Sequence, residues 1–266
     1  MGMHIDLSGR RSLVSGSTAG IGYAIARGLA GAGAAVVVNG RTEERVQQAM
    51  ERLRGEVPDA EIAGVAADVG TPDGVALLLA QEPDVDILVA NAGIFEPKPF
   101  AEITDGEWQR FFDVNVMGAV RLARHYVPRM ADRSWGRAVF ISSESALHIP
   151  AEMVHYGVTK TALVAVARGL AESYPASGVT VNSVLPGPTR SEGVATFLEE
   201  LAGRSGQIPE DAERDFLATQ RPTSLLGRFA TTDEVANLVV YVCSPQAAAT
   251  TGAALRVDGG VVRAIP

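Results

Sequence analysis

Short β-branched runs alternate with longer amphipathic segments along most of the chain. "RSLVS" and "AAVVVNG" read as strands, with "GIGYAIARGLAGAG" between them as a helix that ends in glycines. "TEERVQQAMERLRGE" follows as a helix opened by Thr42 as N-cap, with Glu43 and Glu44 in its first turn. "AEIAGVAAD", "DGVALLLAQ" and "VDILVANAG" continue the alternation. A long helical stretch runs from about Asp105 to Arg129, then come "GRAVFISS", a helix through "TALVAVARGLAESYP" and a strand at "GVTVNSVLPG". Runs such as "AAVVV", "DILVA" and "AVFIS" are apolar without alternation, which suits strands buried on both faces and so a parallel sheet covered by helices. The pattern predicts an α/β fold of Rossmann type, a doubly wound parallel sheet with helices on both faces. Only Thr189 to Ala230 breaks the rhythm: it is polar, rich in glutamate and arginine, and shows no obvious strand. No linker or shift in composition divides the chain, so residues 1–266 are expected to form one domain, with 189–230 as a substrate-binding lid.

Composition narrows the function. With 266 residues and 47% hydrophobic content the chain has ample material for a core. A net charge of −8 argues against nucleic acid as the main partner. One cysteine, Cys243, excludes an internal disulfide, and the four histidines never approach metal-ligand spacing, so no metal is expected. Asp6 and Ser8 interrupt the N-terminal stretch where a signal peptide is apolar, and no apolar run reaches membrane-spanning length. A cytoplasmic protein with a small-molecule partner and no membrane association is the expectation.

Between the first strand and the first helix lies "SGSTAGIG", with Gly16, Gly20 and Gly22. Glycines there allow a tight turn and let a pyrophosphate reach the free N–H groups of the helix N-terminus. The spacing is G-x-x-x-G-x-G, and a glycine loop alone is equally an ordinary turn. Its place after the first strand favours a dinucleotide. The second strand ends in "VVVNGR", with Asn39 and Arg41 where an NAD site has an acidic residue. An arginine suits a 2′-phosphate, so NADP(H) is favoured and NAD(H) stays possible; Arg41 as a plain solvated charge is the competing reading.

"SSESALHIPAEMVHYGVTK", Ser142 to Lys160, places Tyr156 and Lys160 one helical turn apart on the same face. With five tyrosines and two lysines in the chain, such a pair arises by chance with odds of about 4%. Tyrosine, of ordinary pKa ~10, becomes a useful acid or base at neutral pH only if the phenolate gains about 4 kcal/mol. One ammonium at ~4 Å supplies about that at an effective dielectric near 20.

These motifs together resemble the short-chain dehydrogenase/reductase family, in its single-domain branch of about 250 residues. The resemblance runs from "SGSTAGIG" through "ANAG", the Ser-Tyr-Lys set and "LPGPTRS" to "VDGG" at Asp258, nearly the whole chain. It implies an NADP(H)-dependent oxidoreductase acting on a carbonyl or secondary alcohol. Its serine lies thirteen residues before the tyrosine, selecting Ser143 over Ser142 to hold the substrate oxygen. Tyr156 then transfers the proton, Lys160 lowers the tyrosine pKa and binds the nicotinamide ribose, and Asn115 in "DVNVMG" holds a water that links the lysine to solvent. The resemblance also implies cofactor contacts from Ser17, Thr18 and Ile21 in the glycine loop, and from Asp68 and Val69 at the adenine. Asn91, Ala92 and Gly93 would lie along the cofactor, and Pro186, Gly187, Thr189 and Ser191 around the nicotinamide. A homotetramer packed through two long helices is implied as well. Ser15 stands where the family has threonine, Ala90 replaces the first asparagine of NNAG, and Ala19 stands where NADP-preferring relatives often carry a basic residue. NADP preference therefore rests mainly on Arg41, helped by the hydroxyls of Ser17 and Thr18. Between serine and tyrosine, Glu144, His148 and Met153 are expected along the substrate pocket. Glu144 either recognises a polar group of the substrate, since a buried carboxylate needs a partner, or is a structural ion pair or exposed charge. An NAD(H)-dependent alcohol dehydrogenase is the alternative enzyme. A non-catalytic nucleotide sensor is the alternative of another class, though one expected to have lost the tyrosine or lysine kept here.

Overall fold

A computed structural model describes residues 4–205 and 208–265. The first half runs β1 (Arg11–Val14), α1 (Gly20–Gly31), β2 (Ala35–Gly40), α2 (Glu43–Glu56), β3 (Ile62–Ala66), α3 (Pro72–Gln81) and β4 (Ile87–Ala90). Next come α4 (Asp105–Phe112), α5 (Gly118–Asp132), β5 (Gly136–Ile141), α6 (Val154–Ser173) and β6 (Val179–Pro186). The remainder is β7 (Thr189–Arg190), α7 (Glu192–Ser205), α8 (Pro209–Gln220), β8 (Ala230–Thr231), α9 (Thr232–Cys243) and β9 (Ala254–Val257). Seven strands form one sheet, β3-β2-β1-β4-β5-β6-β9, and every pairing is parallel.

Alternate residues of each strand feed opposite layers, which explains the unbroken apolar runs. Val14, Val38, Val89 and Ile141 pack with Ile25 and Leu29 of α1, Leu53 of α2 and Val239 of α9. Their neighbours Leu13, Val37, Leu88 and Phe140 pack on the other face with Leu78 of α3, Leu122 and Tyr126 of α5 and Leu163 of α6. Each fully buried Leu or Val contributes about 1.5–3 kcal/mol relative to exposure. One slip in strand register would send each side chain to the wrong layer.

Local signals set the helix boundaries. Thr42 caps α2 by accepting from Arg45 N, as its sequence predicts. Thr231 and Glu234 form a reciprocal capping box that starts α9. The helical stretch expected over 105–129 is divided. A π-helical turn, Asp113–Met117, joins α4 to α5 and adds a residue to the spiral. The stretch after Thr189 holds two helices and a two-stranded parallel pair, β7 with β8, where no strand was expected. Pairs this short leave no periodicity to read.

The strand order reverses between β1, which leads to β2, and β4, which leads to β5. The crevice at the carboxyl ends of these strands is where ligands bind in open α/β sheets. Among the described residues no helix is long and apolar enough to cross a membrane, and no cluster of His, Cys, Asp or Glu is arranged to hold a metal ion.

Candidate active site

The glycine loop is bolted to the turn after β4. Ser15 Oγ accepts from Asn91 N and Ala92 N, both at 3.0 Å, and Asn91 Nδ2 donates back to Ser15 O and Gly16 O at 3.0 Å. The serine in the threonine position thus keeps the one group the turn needs, a hydroxyl oxygen. Gly16 has φ +63°, in the left-handed region, and a Cβ there would lie 2.9 Å from Ala92 Cα. A Cβ on Gly22 would lie 2.4 Å from Gly16 O. The approach of helix, loop and turn is therefore closed to any larger residue. At the first turn of α1 the amide of Gly20 already carries an anion: it donates to Glu192 Oε2, 2.7 Å away, from the start of α7. A carboxylate thus occupies a helix end whose free amides and dipole favour negative charge.

Two residues expected at the cofactor turn inward. Asn39 is 1% exposed; its Oδ1 accepts from Gly16 N, and its Nδ2 donates to Val65 O and Ala67 O. The Ser17 hydroxyl, also buried, donates to Val14 O and accepts from Asn39 N. Both shape the loop, and the Ser17 hydroxyl is not available to a 2′-phosphate. Thr18 packs its methyl toward Gly40. Arg41 is exposed and makes no ion pair or hydrogen bond among the described residues, so its guanidinium is free to meet an anion. Asp68 and Val69 form the turn after β3 at the same edge of the sheet. Asp68 Oδ1 accepts from Gly70 N at 2.9 Å, and Val69 is buried.

At the other end of the crevice a cavity of about 880 Å³ opens. Ile21, Asn91, Gly93, Ser143, Glu144, Met153, Tyr156, Lys160, Pro186, Gly187, Thr189 and Ser191, all expected at the site, line it together. Gly187 lies so close to the "VDGG" turn that a Cβ would be 2.6 Å from Asp258 O. Ser142 and Ser143 divide their work. Ser142 Oγ donates to Lys160 O at 2.7 Å, tying β5 to α6, while Ser143 Oγ accepts from Ser145 N at 3.1 Å and donates to Glu144 Oε2. Tyr156 and Lys160 share one face of α6, with Lys160 Nζ 5.6 Å from the tyrosine ring centroid.

Asn115 is fully buried on the π-helical turn. It accepts from Ile94 N at 2.7 Å and donates to Ile94 O and Thr159 Oγ1 at 3.0 Å each. A Cβ at Gly93 would stand 3.3 Å from both Asn115 Oδ1 and Lys160 Nζ, so the two flank that glycine.

The electrostatics differ from the sequence expectation. Lys160 Nζ donates to Ile141 O at 3.0 Å, and burial draws its pKa down to about 8. Burial pushes the Tyr156 phenol above its ordinary value; Glu144 adds to the rise, while the neighbouring Ser143 hydroxyl and the charge of Arg221 oppose it. The ammonium imagined ~4 Å from the phenol is instead directed at a backbone carbonyl.

Sequence reasoning missed Arg221 entirely. It is 4% exposed and donates from Nε to Glu144 Oε1 at 2.9 Å and from Nη1 to Glu152 Oε1 at 3.2 Å. Nothing local in "TQRPTS" marks it, because its partners lie 69 and 77 positions away. Glu144 is therefore in an ion pair, the second of its two expected states. His148 is a correction: it sits on the exposed turn 147–149, outside the cavity, because the chain after Glu144 swings to the surface before returning at Pro150. Apolar side chains of α7 and α8 border the cavity, Val194 and Phe216 among them. Leu198, Leu217 and Phe229 form a small cluster with Val194 and Phe216, and the last two with Phe229 border the cavity.

Comparison with known proteins gives a consistent answer. Residues 16–262 match the profile of a family described as enoyl-(acyl carrier protein) reductase. The uncharacterized oxidoreductase YvaG of Bacillus subtilis is 45% identical over 99% of this chain and 100% of its own. The 3-oxoacyl-[acyl-carrier-protein] reductase FabG of Aquifex aeolicus is 32% identical over 97% of this chain and 100% of its own. Among solved structures, L-sorbose reductase from Gluconobacter frateurii, complexed with NADPH and L-sorbose, superposes with a TM-score of 0.93 at 32% identity, covering 99% of this chain and 100% of that one.

Proposed function

Because the chain belongs to the short-chain dehydrogenase/reductase family of oxidoreductases, we propose that it transfers a hydride between NADP(H) and a carbonyl or secondary alcohol carbon, with Tyr156 as acid or base. The observation that carries this reading is the meeting of Ser143, Tyr156 and Lys160 in one cavity that continues to the glycine loop.

The chain's own residues fit the dinucleotide. The Gly16–Gly22 contact leaves a cradle that any Cβ would fill, the Gly20 amide holds a carboxylate where a pyrophosphate belongs, and Arg41, just after β2, has no partner among the described residues. When bound, the cofactor supplies or accepts the hydride. Tyr156 donates its proton to the substrate oxygen in reduction and takes it back in oxidation. Ser143 steadies the oxygen on which negative charge develops. Lys160 and Asn115 flank Gly93 beneath this point; Lys160 supplies the positive charge and Asn115 fixes the loop after β4. Residues 1–266 are read as one domain in which 189–230 closes the substrate site, working in the cytoplasm as a homotetramer. Leu147 and Ile149 on the turn before α6, and Val158 within it, are exposed apolar residues that support an interface there.

Fluorescence titration with NADPH and NADH, followed by a turnover screen over ketoses, β-keto esters and secondary alcohols, tests the reading. NADPH is expected to bind at least tenfold more tightly, and Tyr156→Phe to abolish turnover. Tighter NADH binding would overturn the cofactor assignment, and an active Tyr156→Phe the mechanism.

A further inference from the structure

A carboxylate immediately after the serine is an awkward neighbour for a phenol that must give up a proton. Glu144 is 4% exposed, and a buried, unpaired carboxylate is strongly destabilising. Both of its oxygens are engaged. Oε2 receives the hydrogen of Ser143 Oγ, and Oε1 receives Arg221 Nε at 2.9 Å. Arg221 arrives from the residue that follows α8, and its Nη1 also donates to Glu152, just before α6, and to Gln220 O. The end of the α7–α8 excursion is thereby tied to both ends of the serine-to-tyrosine loop. Buried ion pairs seldom add net stability over apolar packing, so stability alone is a weak reason for this one.

We propose that Glu144 and Arg221 are a positioning pair for proton transfer: Arg221 holds Glu144, and Glu144 holds the Ser143 hydrogen until charge develops on the substrate oxygen. The inference rests on the function proposed above. A neutral carbonyl is a weaker acceptor than a carboxylate, so in the ground state the Ser143 hydrogen stays with Glu144. A developing alkoxide is the stronger acceptor and draws the same hydrogen over. No bond to that hydrogen breaks covalently; it remains on Ser143 Oγ and changes acceptor. The donation thus strengthens in the transition state, which is the condition for it to raise the rate.

The pair also sets opposing fields at Tyr156. Charged groups around the phenol are Glu144 from the turn after β5, Lys160 from α6, Arg221 after α8 with Glu152 behind it, and Glu96 and Asp215 on the cavity wall. Removing Glu144 makes the field at the phenol more positive, and removing Arg221 makes it more negative.

The test is the pH dependence of kcat/KM for the full chain and for Glu144→Gln, Arg221→Gln and the double variant. NADPH is the reductant, and diacetyl and L-sorbose are the carbonyl probes. The alkaline inflection is expected about one unit lower in Glu144→Gln and about one unit higher in Arg221→Gln. In the double variant it returns toward the unmodified protein, and NADPH affinity stays within about twofold throughout, since neither residue borders the glycine loop. Shifts in the same direction, or coincident profiles with only a lower kcat, would overturn the pair. If Arg221→Gln does not fold, the comparison of Glu144→Gln with the double variant carries the test: the first must shift and the second must return. Tyr156→Phe separates the two levels. Retained turnover in that variant sinks the function itself, whereas lost turnover with unmoved profiles sinks only the pair.

Discussion

Two Gly→Ala substitutions in one helix should have opposite effects. At Gly22 the new methyl would lie 2.4 Å from Gly16 O and 2.5 Å from Asn91 Nδ2, an overlap of about 1 Å against ordinary contact. The atoms in its path are not free to yield. Asn91 Nδ2 is held by Ser15 O and Gly16 O at 3.0 Å, and Gly16 abuts Ala92. Relief requires the loop to move away from α1. That loses most of two hydrogen bonds, each contributing about 1 kcal/mol net, and adds overpacking strain of about 1–3 kcal/mol. A destabilisation of about 3 kcal/mol lowers Tm by roughly 6–12 °C in a chain of this size. At Gly31, the last residue of α1, a Cβ meets nothing within 4 Å and the backbone is not left-handed. Alanine there restricts only the unfolded chain and should stabilise by about 0.5 kcal/mol. Thermal unfolding followed by circular dichroism reads both changes, and NADPH fluorescence titration reads the loop. Gly22→Ala should bind NADPH at least tenfold more weakly, because the amides that would face the pyrophosphate are displaced; Gly31→Ala should bind it unchanged. A Gly22→Ala protein that melts and binds like the parent would show that the loop, helix and β4 turn are not packed as described.

Arg41→Ala should weaken NADPH about tenfold or more and leave NADH unchanged, and the NADPH affinity of the parent should fall with added salt because the guanidinium is exposed. Equal losses for both cofactors would refute a 2′-phosphate contact. His155, 1% exposed against Phe111 and with Nδ1 unpartnered, has its pKa lowered by burial. The unfolded chain then binds more protons below about pH 6.5, so stability should fall as pH drops through that value. Tm measured at acid and neutral pH should differ less in His155→Phe than in the parent; an undiminished difference would assign the acid sensitivity elsewhere.

What was legible in the sequence follows from the range of the interaction. β1, β2, β4, β5 and β6 announce themselves because both faces are buried and no polar residue is needed to alternate. Thr42 marks α2 because a cap acts over three residues. Tyr156 and Lys160 are separated by one turn, so the helix alone brings them together. Asn115 is different. Its direction depends on a π-helical turn, and that turn has no local signature in "DVNVMG". Arg221 meets Glu144 only through tertiary folding, so no window of sequence shows them side by side. Asn39 and Ser17 were expected toward the cofactor because of their position, yet the turn's unpaired backbone groups claim them. His148 lies in a loop whose path the spacing between Ser143 and Tyr156 does not specify.

Glu192 on the Gly20 amide makes the protein its own weak ligand. A tethered carboxylate competes at an effective concentration fixed by the chain, and no dilution removes it. Any anion entering from solution sees its affinity reduced by the fraction of time the amide is free. Chloride or a stray carboxylate, with one contact to offer, loses that contest. A ligand that also engages sites farther along the crevice can win it. An anion that takes the Gly20 amide must therefore first displace Glu192.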